Sequence, residues 1–280
     1  LEDAPSVTEH VILLVDNPHI SEKAKRDFTA NLSPDDYCVR VGGDFAISSS
    51  KVYPEFHMGV HGVPWQQVPA NWTRYASIDP GHQLCAVLFG AVPPGDEEIW
   101  LYDELYVKEC NASMFAAKML EKTEGRPMCE AFIIDAHMAL HTELGIGKTV
   151  QQQYSEALRE KGVRCRVSGS GFIFGSDDVE AGILAVHGWL RIREKGQPKL
   201  RVLEGACPNF EFEIKRYHKK RVKGIVVDMP NQKRNNHCMD ALRYLAMFNP
   251  KWAKPREMKM ERGGAIKAFR DKQKKRNHET

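Results

Sequence analysis

The sequence predicts an α/β protein in which a mixed β-sheet carries helices on both faces. Three observations support this. Residues 84–92 and 98–107 are strand-like runs joined by the turn Pro93-Pro94-Gly95-Asp96, which makes them an antiparallel hairpin. Residues 131–135 form a short, continuous apolar run of the kind buried on both sides of a parallel sheet. Residues 112–124, 149–161 and 177–194 have helical spacing and alternate with further short strands, which completes the pattern of a helix-flanked sheet.

Taken in order, residues 21–32 are a polar helix candidate, and 37–40 and 51–56 are short extended pieces. Residues 64–72, with Pro64, Pro69, Trp65 and Trp72, read as a linker packed on a domain edge. Residues 74–79 form a strand stopped by Pro80-Gly81. The hairpin follows, then helix 112–124, strand 131–135, helix 149–161 and a strand over 163–167. Helix 177–194 takes Ser176 as its N-cap, with Asp177, Asp178 and Glu180 in its first turn and basic residues in its last. Residues 200–203 are a strand, 209–217 a short helix, and 221–228 a strand or hairpin arm. Residues 237–248 are a final helix, ended by Pro250.

Composition narrows the class. A chain of 280 residues, 42% of them apolar, buries enough surface to need no disulfide or zinc staple. Charged residues are 28% of the chain, mean hydropathy is −0.46, and the run 11–15 falls far short of the roughly 20 apolar residues that span a bilayer. The seven cysteines (38, 85, 110, 129, 165, 207 and 238) are odd in number, widely spaced and form no CxxC pair, so they read as reduced core thiols. The opening Leu1-Glu2-Asp3, without an initiator Met or signal-like segment, reads as cut from something longer. The net charge of +3 hides an asymmetry, because residues 251–280 hold 11 Lys/Arg against 4 Asp/Glu. A basic tail on a slightly acidic body points to a polyanion or an acidic partner surface. With few apolar residues, the tail is expected to be disordered beyond about residue 255.

Two acids stand out by position. Asp79 closes the strand Tyr75-Ala76-Ser77-Ile78-Asp79, and Asp135 closes Phe132-Ile133-Ile134-Asp135. Sites in open α/β sheets form at the carboxyl ends of strands. If the two strands are neighbours, the two like charges share a crevice, an arrangement that a cation between them relieves. Carboxylate oxygens select Mg²⁺ or Mn²⁺. Asp240, near the start of the last helix, is a third acid that the helix dipole alone would favour. Gly145-Ile146-Gly147-Lys148-Thr149 imitates a phosphate loop, but the required earlier glycine is Thr142, so no ATPase is expected in this chain.

Ser77-Ile78-Asp79-Pro80-Gly81, Leu101-Tyr102-Asp103-Glu104-Leu105-Tyr106, Ile133-Ile134-Asp135 and Asn236-His237-Cys238-Met239-Asp240-Ala241-Leu242-Arg243-Tyr244 together resemble the nuclease domain of the tailed-phage terminase large subunit. Upstream, Arg40-Val41-Gly42-Gly43-Asp44-Phe45, Lys51-Val52-Tyr53-Pro54-Glu55-Phe56 and Asn71-Trp72 resemble the linker that joins the packaging ATPase to its nuclease. The resemblance covers roughly residues 20–250. It implies an RNase H-like mixed sheet flanked by helices, with residues 1–70 as linker, 71–250 as nuclease and 251–280 as a basic flexible tail. The implied activity is metal-dependent cutting of concatemeric double-stranded viral DNA during packaging, in the cytoplasm of the infected bacterium. The implied partners are DNA, the portal protein, the small terminase subunit and an ATPase domain in the full-length protein.

The resemblance places the three metal-binding acids on Asp79, Asp135 and Asp240. Two Mg²⁺ or Mn²⁺ ions can then activate water and stabilise the leaving oxygen without a protein nucleophile, with Asp79 bridging both. Glu104, His137 and His237 are candidates for side chains that support these acids, against the plainer readings of a packed strand acid and of surface or core histidines. Asp103 and Glu104 must point to opposite faces of their strand. The stretch 215–223 holds six basic residues in nine. Lys215, Arg216, Lys219, Lys220, Arg221 and Lys223, with Lys233 and Arg234 before the third acid, are the expected phosphate contacts. Two rival readings remain open: another RNase H-like nuclease of the transposase, integrase or resolvase type, and a portal- or motor-docking module with weak cleavage.

Overall fold

The computed structural model describes residues 17–30, 41, 51–95, 97–142, 147–194, 196–222, 225–230 and 236–254, with side chains of 221–229 outside that description. The expected extended piece 37–40, Lys223, Lys233, Arg234 and the tail from 255 onward lie outside the described residues.

Helix α1 (Glu22–Thr29) is capped by Ser21, whose side chain accepts from the Ala24 amide. Helix α2 (Met58–His61) leads into β1 (Gly62–Val63), which the sequence reading missed because two residues give no periodicity. The sheet continues with β2 (Thr73–Asp79), β3 (Leu84–Val92), β4 (Ile99–Lys108), β5 (Ala131–Asp135), β6 (Ile173–Gly175) and β7 (Leu200–Leu203). Its strand order is β1-β7-β4-β3-β2-β5-β6. The β2–β3 and β3–β4 pairs are antiparallel, whereas β2–β5, β5–β6, β4–β7 and β1–β7 are parallel. The expected hairpin and mixed sheet are both present. A separate hairpin joins β8 (Lys219–Val222) to β9 (Ile225–Pro230).

One face of the sheet is covered by α3 (Ala112–Thr123) and α5 (Val150–Glu160), through Phe115, Met119, Tyr154 and Leu158. Thr149 and Gln152 close a capping box at the start of α5, so the false phosphate loop runs into an ordinary helix start. The opposite face carries α6 (Val179–Leu190), α7 (Pro208–Ile214) and α8 (His237–Phe248). The short α4 (Ala136–Leu140) follows β5 directly. Val52, Tyr53 and Phe56 are buried in the same core as α7 and α8. The six described cysteines are all free and buried. Among the described residues no helix is long and apolar enough to cross a membrane.

Strand parity places the acids. Ala76 and Ile78 of β2, with Phe132 and Ile134 of β5, enter the core under α3 and α5. Tyr75, Ala131 and Ile133 enter the core under α8. Alternation therefore turns Asp79 and Asp135 to the α8 face. Ser77 lies on that face too, and its hydroxyl donates to the Ala241 carbonyl at 2.7 Å.

Two expectations are corrected. Residues 163–167 are no sheet strand: Val163 and Cys165 are buried, but Cys165 only bridges to Gly169 in a tight turn. Arg166 and Val167 instead donate to the carbonyls of Cys129 and Glu130, alongside the lead-in to β5. The turn delivers β6 to the position that strand would have taken. Helix α6 begins two residues late, at Val179, because Asp178 rather than Ser176 is its N-cap and accepts from the Ala181 amide at 2.9 Å.

Where β6 meets α8 there is no space for a side chain. A Cβ on Gly175 would lie 2.9 Å from the Tyr244 side chain. We expect Gly175→Ala to destabilise the fold by about 1–3 kcal/mol through overpacking, read as a lower urea midpoint with an unchanged m-value.

Candidate active site

The parallel register Tyr75↔Ala131 to Ile78↔Ile134 ends one residue before both Asp79 and Asp135, so the two acids leave the sheet side by side. Helix α8 lies across β2, β3, β5 and β6 with its first turn over these strand ends. It brings His237 and Asp240.

His237 Nδ1 lies 2.8 Å from Asp79 Oδ2. Asp135 caps α4, its Oδ1 accepting from the amides of His137 (2.8 Å) and Met138 (3.4 Å). Asp240 Oδ1 accepts from Arg243 Nη2 at 2.5 Å and its Oδ2 from Asn236 Nδ2 at 2.8 Å. Asn236 is the N-cap residue of α8, but its side chain makes no capping bond.

The charges act on one another. Burial pushes the Asp79 carboxyl up to about 7, with Asp240 and Asp135 adding to the rise and the His237 hydrogen bond opposing it. His237 is raised, chiefly by its hydrogen bond to Asp79. An all-oxygen donor set at strand ends has the right chemistry for a hard divalent cation. As placed, each carboxylate is instead held by a protein donor, and no three His, Cys, Asp or Glu side chains among the described residues stand close enough to hold an ion.

The other candidates divide. Glu104 lies on the same face as the acids but is taken up by α7, where its carboxylate accepts from the amides of Asn209 (2.8 Å) and Phe210 (2.9 Å). It caps a helix whose own N-cap, Cys207, makes no side-chain bond. Asp103 faces α3, where it pairs with Lys122 and Arg126. The opposite-face expectation holds by alternation, and a register slip that leaves Tyr102 as an extra residue opposite Phe89 and Gly90 sets which face each acid takes. His137 stands exposed at the rim, beside Asp135.

Lys215 and Arg216 end α7 on the surface, Lys215 paired with Glu211 at 3.5 Å and Arg216 stacked over the Phe212 ring at 4.0 Å. Lys219, Lys220 and Arg221 lie on β8. Lys219 also lines a cleft of about 370 Å³ with Val52, Glu180, Ile183 and His187.

Two carboxylates were not singled out in the sequence. Asp177, expected inside a helix turn, stays outside α6, two residues past Gly175, which pairs with Asp135. Its carboxyl is raised by partial burial and then by the charge of Asp135. Glu213 is 1% exposed; its oxygens accept from the Tyr106 hydroxyl and from the Cys238 amide in the first turn of α8, both at 2.7 Å.

The fold is RNase H-like. The chain is similar to the large terminase of a thermophilic bacteriophage in complex with ADP (TM-score 0.54, 19% identity), covering 84% of this chain and 53% of that one. It is also similar to the P22 large terminase nuclease domain (TM-score 0.51, 17% identity), covering 74% of this chain and 95% of that one. The chain thus spans about half the length of the thermophilic phage terminase it matches. No protein-family model and no curated protein matches it.

The paired acids set a pH dependence. A carboxyl raised from 3.8 to about 7 keeps a proton in the fold that the unfolded chain loses, so its contribution is complete near pH 4 and gone above 7. His237 acts in the same direction: its contribution is present below 6.5 and lost as pH rises through its raised value. We expect Asp79→Asn to gain thermal stability relative to the unsubstituted protein as pH rises from 5 to 8, measured without metal. Parallel melting curves for the two proteins across that range would contradict the assignment.

Proposed function

We propose that this chain is a divalent-metal-dependent endonuclease acting on double-stranded DNA, the nuclease part of a phage terminase large subunit. The observation that carries the reading is the delivery of Asp79 and Asp135 side by side to one end of an RNase H-like sheet, with the first turn of α8 bringing His237 against Asp79 and Asp240 three residues on. Asp79, Asp135 and Asp240 would hold two Mg²⁺ or Mn²⁺ ions, which activate water and stabilise the departing 3′ oxygen.

The chain's own residues orient this set. His237 fixes one oxygen of Asp79, the α4 amides fix Asp135, and Asn236 and Arg243 fix Asp240. Arg216, stacked on Phe212, and the exposed Lys220 of β8 would grip the phosphodiester backbone without reading sequence. In this reading residues 1–70 link to an ATPase domain, residues 71–250 cut, and the basic segment 251–280 meets an acidic partner such as the portal. The small terminase subunit is a further partner, and the work takes place in the host cytoplasm.

We expect nicking of supercoiled plasmid in Mn²⁺, abolished by a chelator and by each of Asp79→Ala, Asp135→Ala and Asp240→Ala. Removing Asp79 relieves repulsion, so the Asp79→Ala melting temperature should hold or rise. Asp240→Ala leaves the buried Arg243 without its partner and Asp135→Ala uncaps α4, so both should fold but melt lower. Near-normal cutting by any of the three variants would overturn the site, and unfolding would make the acids structural. Replacing Arg216 and Lys220 by Ala should weaken DNA binding equally across sequences and reduce the salt slope by about 1 per lost phosphate contact. An unchanged slope would put the DNA elsewhere.

A further inference from the structure

Helix α7 buries two of its large apolar side chains and leaves an aromatic ring outside. Phe210 and Ile214 are fully buried, whereas Phe212 is 50% exposed. The Arg216 guanidinium lies 4.0 Å from the centre of that ring, and its Nη1 donates to the Phe212 carbonyl at 3.4 Å. Lys215, three residues on and exposed, adds a second cation to the same side of the helix. A single exposed apolar residue needs no explanation. An exposed ring held against a guanidinium, with another cation beside it, is the kind of surface on which nucleic-acid bases stack.

The ring is also fixed in place relative to the three acids. Glu104 holds the start of α7 through the amides of Asn209 and Phe210. Glu213, next to Phe212 in the chain, accepts from the Cys238 amide, and His237 beside it lies 2.8 Å from Asp79. Phosphate contacts need the cations of this surface and not the ring. Bases inside a duplex turn their faces only to one another, so a surface ring stacks on a base only where the strand is unpaired.

We propose that Phe212 and Arg216 form a stacking platform for an unpaired base, so that this chain holds an opened DNA strand beside the acids as well as the intact duplex. The proposal deepens the nuclease reading and rests on its DNA-binding part. Arg216 keeps further N–H groups for a phosphate of the same strand.

The test measures binding in chelator, where no ion is needed, to a single-stranded oligonucleotide and to a blunt duplex of the same sequence. The intact chain is compared with Phe212→Leu, which stays apolar but loses the π-face, and with Phe212→Trp, which keeps it. Phe212→Leu should weaken single-strand binding about fivefold or more and hold duplex binding within about twofold. Its salt slope should not change, because no charge is removed. Phe212→Trp should bind the single strand at least as well as the intact chain, and its added fluorescence should be quenched by the single strand but not by the duplex. Unchanged single-strand affinity in Phe212→Leu would overturn the platform, and so would an equal loss on both DNAs, which would leave Phe212 only a rest for Arg216. If Phe212→Leu fails to fold, the Phe212→Trp fluorescence decides: no quenching by the single strand refutes the proposal. A chain that binds single strands through Phe212 but never nicks in Mn²⁺ would overturn the nuclease reading alone, and one that binds no DNA would overturn both.

Discussion

The site depends on one buried carboxylate that is not part of it. Glu213 gives one oxygen to the Tyr106 hydroxyl of β4 and the other to the Cys238 amide at the start of α8. Helix starts leave amides without partners, and α8 has no side-chain cap of its own. A carboxylate in that place satisfies an amide and favours the positive end of the helix dipole. Burial raises Glu213, while the two hydrogen bonds pull the other way. Glu104 does the same one step earlier, at the start of α7. Two acids of this face thus chain β4 to α7 and α7 to α8, and Asp240 takes its position from the end of that chain.

Against this scaffold the strands contribute by parity alone. Two parallel strands that stop at the same level and share a face present their last side chains together. The cost falls on Asp79, which burial raises. His237 holds Asp79, the α4 amides hold Asp135, and Asn236 and Arg243 hold Asp240.

Much of this was legible in the sequence. Pro80-Gly81 marks the end of β2, and an apolar run ending in Asp135 marks β5, so two site residues could be placed before their neighbours were known. Helix α8 was legible to its last residue because its apolar spacing is long and Asn249-Pro250 stops it; Asn249 takes a left-handed conformation there. The rest depends on partners distant in the chain. Asp177 has a sufficient local explanation as a first-turn acid, and only the β5–β6 pairing reveals Asp135 beside it. Glu213 and Glu104 sit in ordinary helix and strand positions, and their roles come from helix starts elsewhere. Residues 163–167 alternate as a strand should, but a turn at Gly169 gives the sheet edge to β6.

The order in which the acids occur along the chain has a consequence for biosynthesis. Asp79 and Asp135 lie in the first half of the sequence, whereas Asp240 arrives only with α8, after every strand of the main sheet has been made. A nascent chain still on the ribosome can pair β2 with β3 and β5 and yet lack the third carboxylate. Whatever chemistry the three acids perform together is therefore withheld from any fragment that stops short of α8.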